Sequence, residues 1–279
     1  MDVRRNNIGT QIAIYFVMAI FTVLAIYPLL WLVIQSFKTT QEYLTTSKLS
    51  FPSRWYGQNY PYVWGVAHFG TLFLNSIVYT AITVITTIVL GFMASFAFAK
   101  IPNKLTPLLH GLFIIGILLT LQSILVPLFL VEMSTNLLNT RLGVLIPYIG
   151  LALPMAIYLG TDFIRGIPGA IIESARIDGA KYLRIFSSII LPMAAPVAMT
   201  LGIITFTGTW NEFLLITILT DHYSTQSIPV GISKFSGALA SDYSRQFAAL
   251  VMGVIPMILF YVIFRKQITK GVAAGAVKG

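Results

Sequence analysis

The stretch RGIPGAIIESARIDGAKYLRIFSSIILP, residues 165–192, combines charges of both signs, small residues and a helical period. It lies in a chain of which 57% of the residues are hydrophobic and 10% are charged. Pro168 suits the first turn of a helix, because the amide hydrogen that it lacks would have no intrahelical partner there. The stretch therefore predicts a solvent-exposed helix pair that begins near Pro168 and lies within a membrane protein.

One face of this predicted helix carries small and apolar residues. Ile171, Ala175, Gly179 and Tyr182 recur every three or four positions, so they share a face that could seat against another protein. Glycine within a helix costs roughly 1 kcal/mol relative to alanine, so Gly179 in mid-helix indicates a close approach or a bend. Pairs of opposite charge at i,i+3 are expected to support the helix, namely Glu173 with Arg176 and Asp178 with Lys181.

The same stretch contains a longer pattern, E-x-A-x3-G-x9-I-x-L-P, which is formed by Glu173, Ala175, Gly179, Ile189, Leu191 and Pro192. This spacing resembles the EAA loop of binding-protein-dependent ABC importer permeases. Ser174 departs from the family pattern, in which alanine is usual. The resemblance implies that residues of about 165–185 form a coupling helix on the cytoplasmic ATPase, with contacts from Glu173, Ser174, Ala175, Asp178, Gly179 and Ala180.

Two further segments resemble permeases of the maltose type. The terminal GAVKG, Gly275 to Gly279, is similar to the carboxy terminus of these proteins, which implies ATPase contacts from Gly275, Val277 and Lys278. The stretch SGALA, residues 236–240, corresponds to a loop that reaches toward the binding protein. This correspondence implies binding-protein contacts from Ser236, Gly237 and Ala238.

Six apolar stretches are long enough to cross a bilayer, which requires about 20 residues. They cover residues 10–35, 71–98, 106–131, 143–163, 186–216 and 246–264. Twelve of the 18 lysines and arginines then fall on the side that carries both termini and the loop at 165–184. By the positive-inside rule that side is cytoplasmic. We therefore predict an all-α membrane protein with six transmembrane helices, in one permease domain spanning residues 1–279.

Polar residues within the apolar stretches are candidates for a substrate pathway. The fifth stretch contains Trp210, Asn211 and Glu212, and the third contains Gln122. Consecutive helical residues point about 100° apart, so the first three share one pore only if the helix is irregular. We predict Asn211 as pathway-facing, with Trp210 and Gln122 as further candidates. Alternatively, Trp210 anchors the membrane interface and Glu212 pairs with a neighbour.

Several kinds of chemistry are absent from the sequence. It has no G-x-x-x-x-G-K-S/T run to hold ATP phosphates, no cysteine, and three histidines outside any metal-ligand spacing. The net charge of +9 is spread along the chain, which argues against nucleic-acid binding. We therefore predict a protein that is not an enzyme and that holds no metal or cofactor of its own.

The resemblance covers nearly the whole chain and implies one permease subunit of an ATP-driven sugar importer in a bacterial or archaeal plasma membrane. The implied partners are a second, homologous permease, two cytoplasmic ABC ATPase subunits that bind ATP and Mg, and an extracytoplasmic sugar-binding protein. The substrate expected is a di- or oligosaccharide. The alternatives are an ABC permease for a non-sugar solute, such as a glycerol phosphate derivative, and an ion-coupled secondary transporter. For the latter, Glu212 is the one acid placed to serve.

Overall fold

The computed structural model describes residues 8–101, 103–237 and 241–276. Apart from one bridge between Ser236 and Ser241, this described part is free of β-structure, so the all-α prediction is confirmed. Within it the helices are α1 (Ile8–Ser36), α2 (Thr40–Thr45), α3 (Asn59–Gly65), α4 (Phe69–Lys100), α5 (Thr106–Ile117), α6 (Leu121–Ser134), α7 (Arg141–Arg165), α8 (Gly169–Ile177), α9 (Tyr182–Ile185), a π-helical segment (Phe186–Ile190), α10 (Leu191–Met193), α11 (Ala195–Trp210), α12 (Leu214–Leu219), α13 (Ile228–Ser233) and α14 (Tyr243–Ala276).

Four helices of the described chain, α1, α4, α7 and α14, are each long and apolar enough to cross a bilayer. Two further candidates are helix pairs with a sharp bend. Helices α5 and α6 meet at 106°, and the segment Tyr182–Met193 meets α11 at 77°. The number of spans reaches six if each bent pair crosses once, so the predicted count stays a prediction.

The two bends have different chemical causes. Between α5 and α6, the Ser123 hydroxyl donates to the Thr120 carbonyl at 2.8 Å, and such local bonds compete with helix continuation. Between α10 and α11, Pro192 and Pro196 stand on either side of Ala194 and supply no amide hydrogen to the helix. The apolar pattern of each stretch therefore continues through a point where the helix breaks.

The described chain divides into two compact units, and the prediction of a single domain stays a prediction. One unit contains the described residues up to Phe69 together with Ile232–Ile255. In it, the buried Lys38 ammonium donates to the Ser47 carbonyl at 3.2 Å, and burial lowers the pKa of Lys38. The Glu42 carboxylate accepts from the Ser53 hydroxyl and amide at 2.6 Å each, and these bonds lower the pKa of Glu42.

The second unit contains Gly70–Gly231 and the described residues from Pro256 onward. Its core has two clusters. The first packs α4 and α7 against α8, α9 and the π-helical segment through Phe92, Phe96, Ile164, Ile172, Ile185 and Phe186. The second packs α4 and α7 against α12 and α13 through Tyr79, Tyr148, Leu215, Leu219 and Val230.

Helices α4 and α7 approach closely because small residues line their contact. A Cβ on Gly91 would lie 2.6 Å from the Ala156 Cβ, and one on Gly160 would lie 2.5 Å from the Ser95 hydroxyl oxygen. That hydroxyl donates across the contact to the Ile157 carbonyl at 3.1 Å. Small residues and interhelical hydrogen bonds hold helices together in lipid, where the hydrophobic effect contributes little to helix association.

We expect Gly91→Ala to destabilise the protein, because the added methyl group must displace Ala156 or separate the helices. Overpacking of this kind costs about 1–3 kcal/mol. Gly150→Ala in α7 is the matched control, since a Cβ there meets nothing within 4 Å. Thermal unfolding in detergent measures both variants. Equal midpoints would contradict the close contact.

Candidate functional site

The predicted coupling loop comprises residues 166–185 and is called the coupling loop below. It begins where α7 ends, next to the last turn of α4. The Lys100 ammonium, in the last turn of α4, donates to the Arg165 carbonyl at 3.2 Å and to the Ile167 carbonyl at 2.5 Å. These carbonyls lie at the end of α7, where the last carbonyls of a helix lack intrahelical partners and attract cations. Lys100 therefore fixes the point at which the chain leaves α7.

One face of α8 packs on the protein's own core. Ile172 is buried, and Ile171 and Ala175 lie partly buried against the cluster that contains Phe96 and Phe186. The face predicted to seat against another protein thus packs, at Ile171 and Ala175, against this chain itself. The periodicity identified the apolar face correctly but not its occupant.

The opposite face of α8 is open to solvent. Glu173, Ser174 and Arg176 are exposed, and Ile177 ends the helix with 86% of its surface exposed. Ile177 lies five positions after the buried Ile172, which places it about 140° around the helix from that residue. The sequence analysis did not identify Ile177, although its position off the apolar face was an available signal. Leu183, 67% exposed, is a further exposed apolar side chain of the loop.

The prediction that Gly179 lies in mid-helix is wrong, because α8 ends at Ile177 and Gly179 adopts a φ of +80° in the following turn. Its amide donates to the Arg176 carbonyl at 3.0 Å, and the Ala180 amide donates to the Ala175 carbonyl at 2.9 Å. These two bonds form a Schellman motif, whose left-handed residue is usually glycine. The reason for glycine here is therefore its backbone, since a Cβ would meet nothing within 4 Å.

The two predicted charge pairs do not form in this described loop. Asp178 and Lys181 lie on either side of the turn, so the i,i+3 spacing of a helix does not apply to them. The Arg176 guanidinium lies 5.3 Å from the centre of the Tyr182 ring, where a cation–π contact replaces a pairing with Glu173. The charges of the loop consequently stay available at its surface.

The six predicted ATPase contacts thus fall into two groups. Glu173, Ser174, Asp178 and Gly179 are exposed, whereas Ala175 and Ala180 are partly buried against the core. In the predicted tail, Gly275 lies in α14, and Val277 and Lys278 lie outside the described residues. An ATPase contact from any of these residues stays a prediction.

The predicted pathway residues lie at breaks in helices. Helix α11 ends at Trp210, and the chain is irregular from Asn211 to Phe213, as a shared pore would require. Asn211 is exposed, and its side-chain amide donates to the Thr207 carbonyl at 2.9 Å. Gln122 is exposed in the first turn of α6. A pathway role for these residues stays a prediction.

Trp210 is buried, so the alternative of an interface anchor is wrong for it. Its ring stacks on Phe206 at 5.8 Å between centroids and at an angle of 8°. Both rings line a cavity of 730 Å³ between α4, α11 and α14, in which Thr80 is the polar exception to an apolar wall. Because buried sugar hydroxyls need polar partners, this cavity does not suit a sugar.

Glu212 pairs with neighbours, as the alternative interpretation proposed. Its carboxylate accepts from the Tyr148 hydroxyl at 2.8 Å, from the Leu215 amide at 2.7 Å and from the Ile216 amide at 3.2 Å. The last two are amides of the first turn of α12, where a carboxylate stabilises a helix start. Glu212 thus serves as a helix cap.

The predicted binding-protein loop is described at its base. Ser236 and Gly237 are exposed, with Ser236 bridged to Ser241, and Ala238 lies outside the described residues. The amide of Asp242 donates to the Phe235 carbonyl at 2.9 Å and closes the base. Contact with a binding protein stays a prediction.

Known proteins with similar sequences agree with this architecture. A family model described as the binding-protein-dependent transport system inner membrane component matches residues 87–270, more than half of the chain. The chain therefore belongs to this family of ABC transporter permeases, and the predicted family is confirmed. The family is a component of transport systems, so the chain is a membrane permease subunit and not a catalytic enzyme.

Individual relatives extend the match along nearly the full length. A diacetylchitobiose uptake system permease protein of Streptomyces coelicolor is 33% identical over 248 residues, 88% of this chain and 82% of the relative. A trehalose transport system permease protein of Mycobacterium tuberculosis is 34% identical over 254 residues, 90% of this chain and 91% of the relative. A chain in the crystal structure of a bacterial ABC transporter involved in the import of the acidic polysaccharide alginate has the same fold, with a TM-score of 0.81, 22% identity and coverage of 95% of this chain and 99% of that one.

We expect Gly179→Ala to weaken the end of α8, because a non-glycine residue in the left-handed region costs about 1–2 kcal/mol. Gly179→Asn should cost less, since asparagine tolerates that region. Hydrogen exchange of the α8 amides in the purified protein measures the effect. Gly169→Ala, whose Cβ would make only an ordinary contact at 3.8 Å, is the control. Equal exchange in all three variants would refute the role of the positive φ.

Proposed function

We propose that this chain is one of two permease subunits of an ATP-driven importer for a disaccharide or a related oligosaccharide. The observation that carries the proposal is the coupling loop, which packs on its own core at Ile172 and exposes Ile177 and charged residues. The relatives named for diacetylchitobiose and for trehalose, at 33% and 34% identity, support a disaccharide as substrate.

The partners follow from the family and from what the chain lacks. Because the sequence has no phosphate-binding loop, ATP and Mg are held by two ABC ATPase subunits that dock on the coupling loop. A second, homologous permease completes the membrane part, and an extracytoplasmic binding protein delivers the sugar near Ser236 and Gly237. The tail with Gly275, Val277 and Lys278 adds a contact to the ATPase.

The proposed topology has six spans, in which each bent helix pair crosses the bilayer once. Both termini and the coupling loop are then cytoplasmic, which the excess of lysine and arginine on that side supports. The sugar passes Asn211, whose exposed side chain at the end of α11 is suited to sugar hydroxyls. Ion coupling is disfavoured, because three donors already occupy the Glu212 carboxylate.

The function is tested with the complete complex in proteoliposomes that contain ATP. We expect uptake of radiolabelled trehalose or diacetylchitobiose that requires ATP inside and the binding protein outside. Uptake that survives ATP depletion but collapses with the ion gradient would instead support a secondary transporter.

We further expect Ile177→Asp to separate the permease from its ATPase. Burial of an isoleucine contributes about 1.5–3 kcal/mol, so the loss should weaken ATPase affinity by about tenfold or more. Ile177→Met keeps an apolar side chain of similar volume and should retain docking. Co-purification of the ATPase with each variant provides the measurement. Normal recovery with Ile177→Asp would exclude Ile177 from the contact.

A further inference from the structure

The second part of the connection between α12 and α13, residues 225–227, is buried although it is not helical. Thr225, Gln226 and Ser227 each expose less than a tenth of their surface. Buried peptide groups outside helices lack the regular hydrogen bonds of a helix and need other partners, above all in a membrane protein. The partners of this segment therefore indicate what holds it in place.

Helix α4 supplies donors to three consecutive carbonyls of the segment. The Asn75 side-chain amide donates to the Ser224 carbonyl at 2.9 Å and to the Gln226 carbonyl at 3.0 Å. The Tyr79 hydroxyl, one turn further along α4, donates to the intervening Thr225 carbonyl at 2.7 Å. Both side chains are almost completely buried, so water does not compete for these bonds.

Amides on either side of these carbonyls are also bonded. The Ile228 amide donates to the Ser76 hydroxyl oxygen at 2.9 Å, again on α4. The Asp221 amide donates to the Asn139 side-chain oxygen at 2.6 Å, just before α7 begins. We call residues 224–228 the outer latch. Side chains of α4 hold the backbone of this segment through hydrogen bonds.

Arg141 determines the orientation of the Asn75 side-chain amide. The Arg141 guanidinium, at the first residue of α7, donates to the Asn75 side-chain oxygen at 3.1 Å. With its oxygen occupied, the amide turns both N–H groups toward the latch carbonyls. Asn75 thus joins α4, α7 and the outer latch through a single side chain. An aspartate there could still accept from Arg141 but could not donate to the carbonyls.

We propose that Asn75, together with Tyr79, is a positioning residue of the transport cycle. The two side chains fix the outer latch to α4, and the latch leads through α13 into the loop with Ser236 and Gly237. Docking of the binding protein on that loop then displaces α4 and α7. This displacement reaches the ATPase through the coupling loop and stimulates ATP hydrolysis. The inference rests on the proposed function.

The test uses the full complex in nanodiscs and compares ATP hydrolysis with and without the sugar-loaded binding protein. We expect Asn75→Asp to reduce this stimulation by about tenfold, the effect of losing two buried hydrogen bonds. Tyr79→Phe, which removes one bond and little volume, should reduce it less. The loss should appear in the maximal stimulated rate and not in the binding-protein concentration that gives half of it.

Ser224→Ala is the matched control, because the Ser224 side chain contacts His222 while its carbonyl alone serves the latch. This variant should keep wild-type stimulation. Wild-type stimulation in Asn75→Asp and Tyr79→Phe complexes, or an equal loss in Ser224→Ala, would overturn the inference and leave the proposed function standing. Failure of the binding protein to stimulate the wild-type complex would contradict the proposed function itself.

Discussion

The need to satisfy every buried peptide group without water shapes this structure more than any other constraint. Where a helix breaks, the freed amides and carbonyls have no solvent partner, so side chains must supply one. Glu212 does so for the start of α12, and Asn75 does so for the segment that follows α12. Glu212 and Asn75 are consequently explained first by the breaks in helical structure that they serve.

The coupling loop shows a different arrangement. Its start is fixed by hydrogen bonds, while one face of α8 stays exposed to solvent. Lys100 anchors its start, and Ile172 anchors α8, so the loop is positioned by α4 and the core. Ile177 and the nearby charges are then left on the far side of a short helix. A partner that binds this surface is linked mechanically to α4, which also carries Asn75 at its other end.

The sequence was sufficient for the helical class, the apolar stretches and the start of α8 directly after Pro168. Composition, the length of an apolar stretch and the backbone of proline can each be read without knowledge of the fold. It failed at Gly179, since a glycine within a helix and a glycine that ends one occupy the same periodic pattern. The preceding Asp178 was an available signal, as Asp-Gly is typical of turns. The apolar pattern continues through the breaks beside Thr120 and Ala194, so it predicts neither of them. Pro192 and Pro196 were an available signal for the second break.

Glu212 shows how the same residue can support two functions until its partners are known. From sequence it is an acid in an apolar stretch, which is the usual mark of ion coupling. In the fold its oxygens accept from Tyr148 and from two amides of α12, so protonation would remove bonds that start a helix. A carboxylate used in this way is a poor carrier of protons or ions. Under the proposed function, the driving force enters instead through an ATPase that docks on the exposed face of α8.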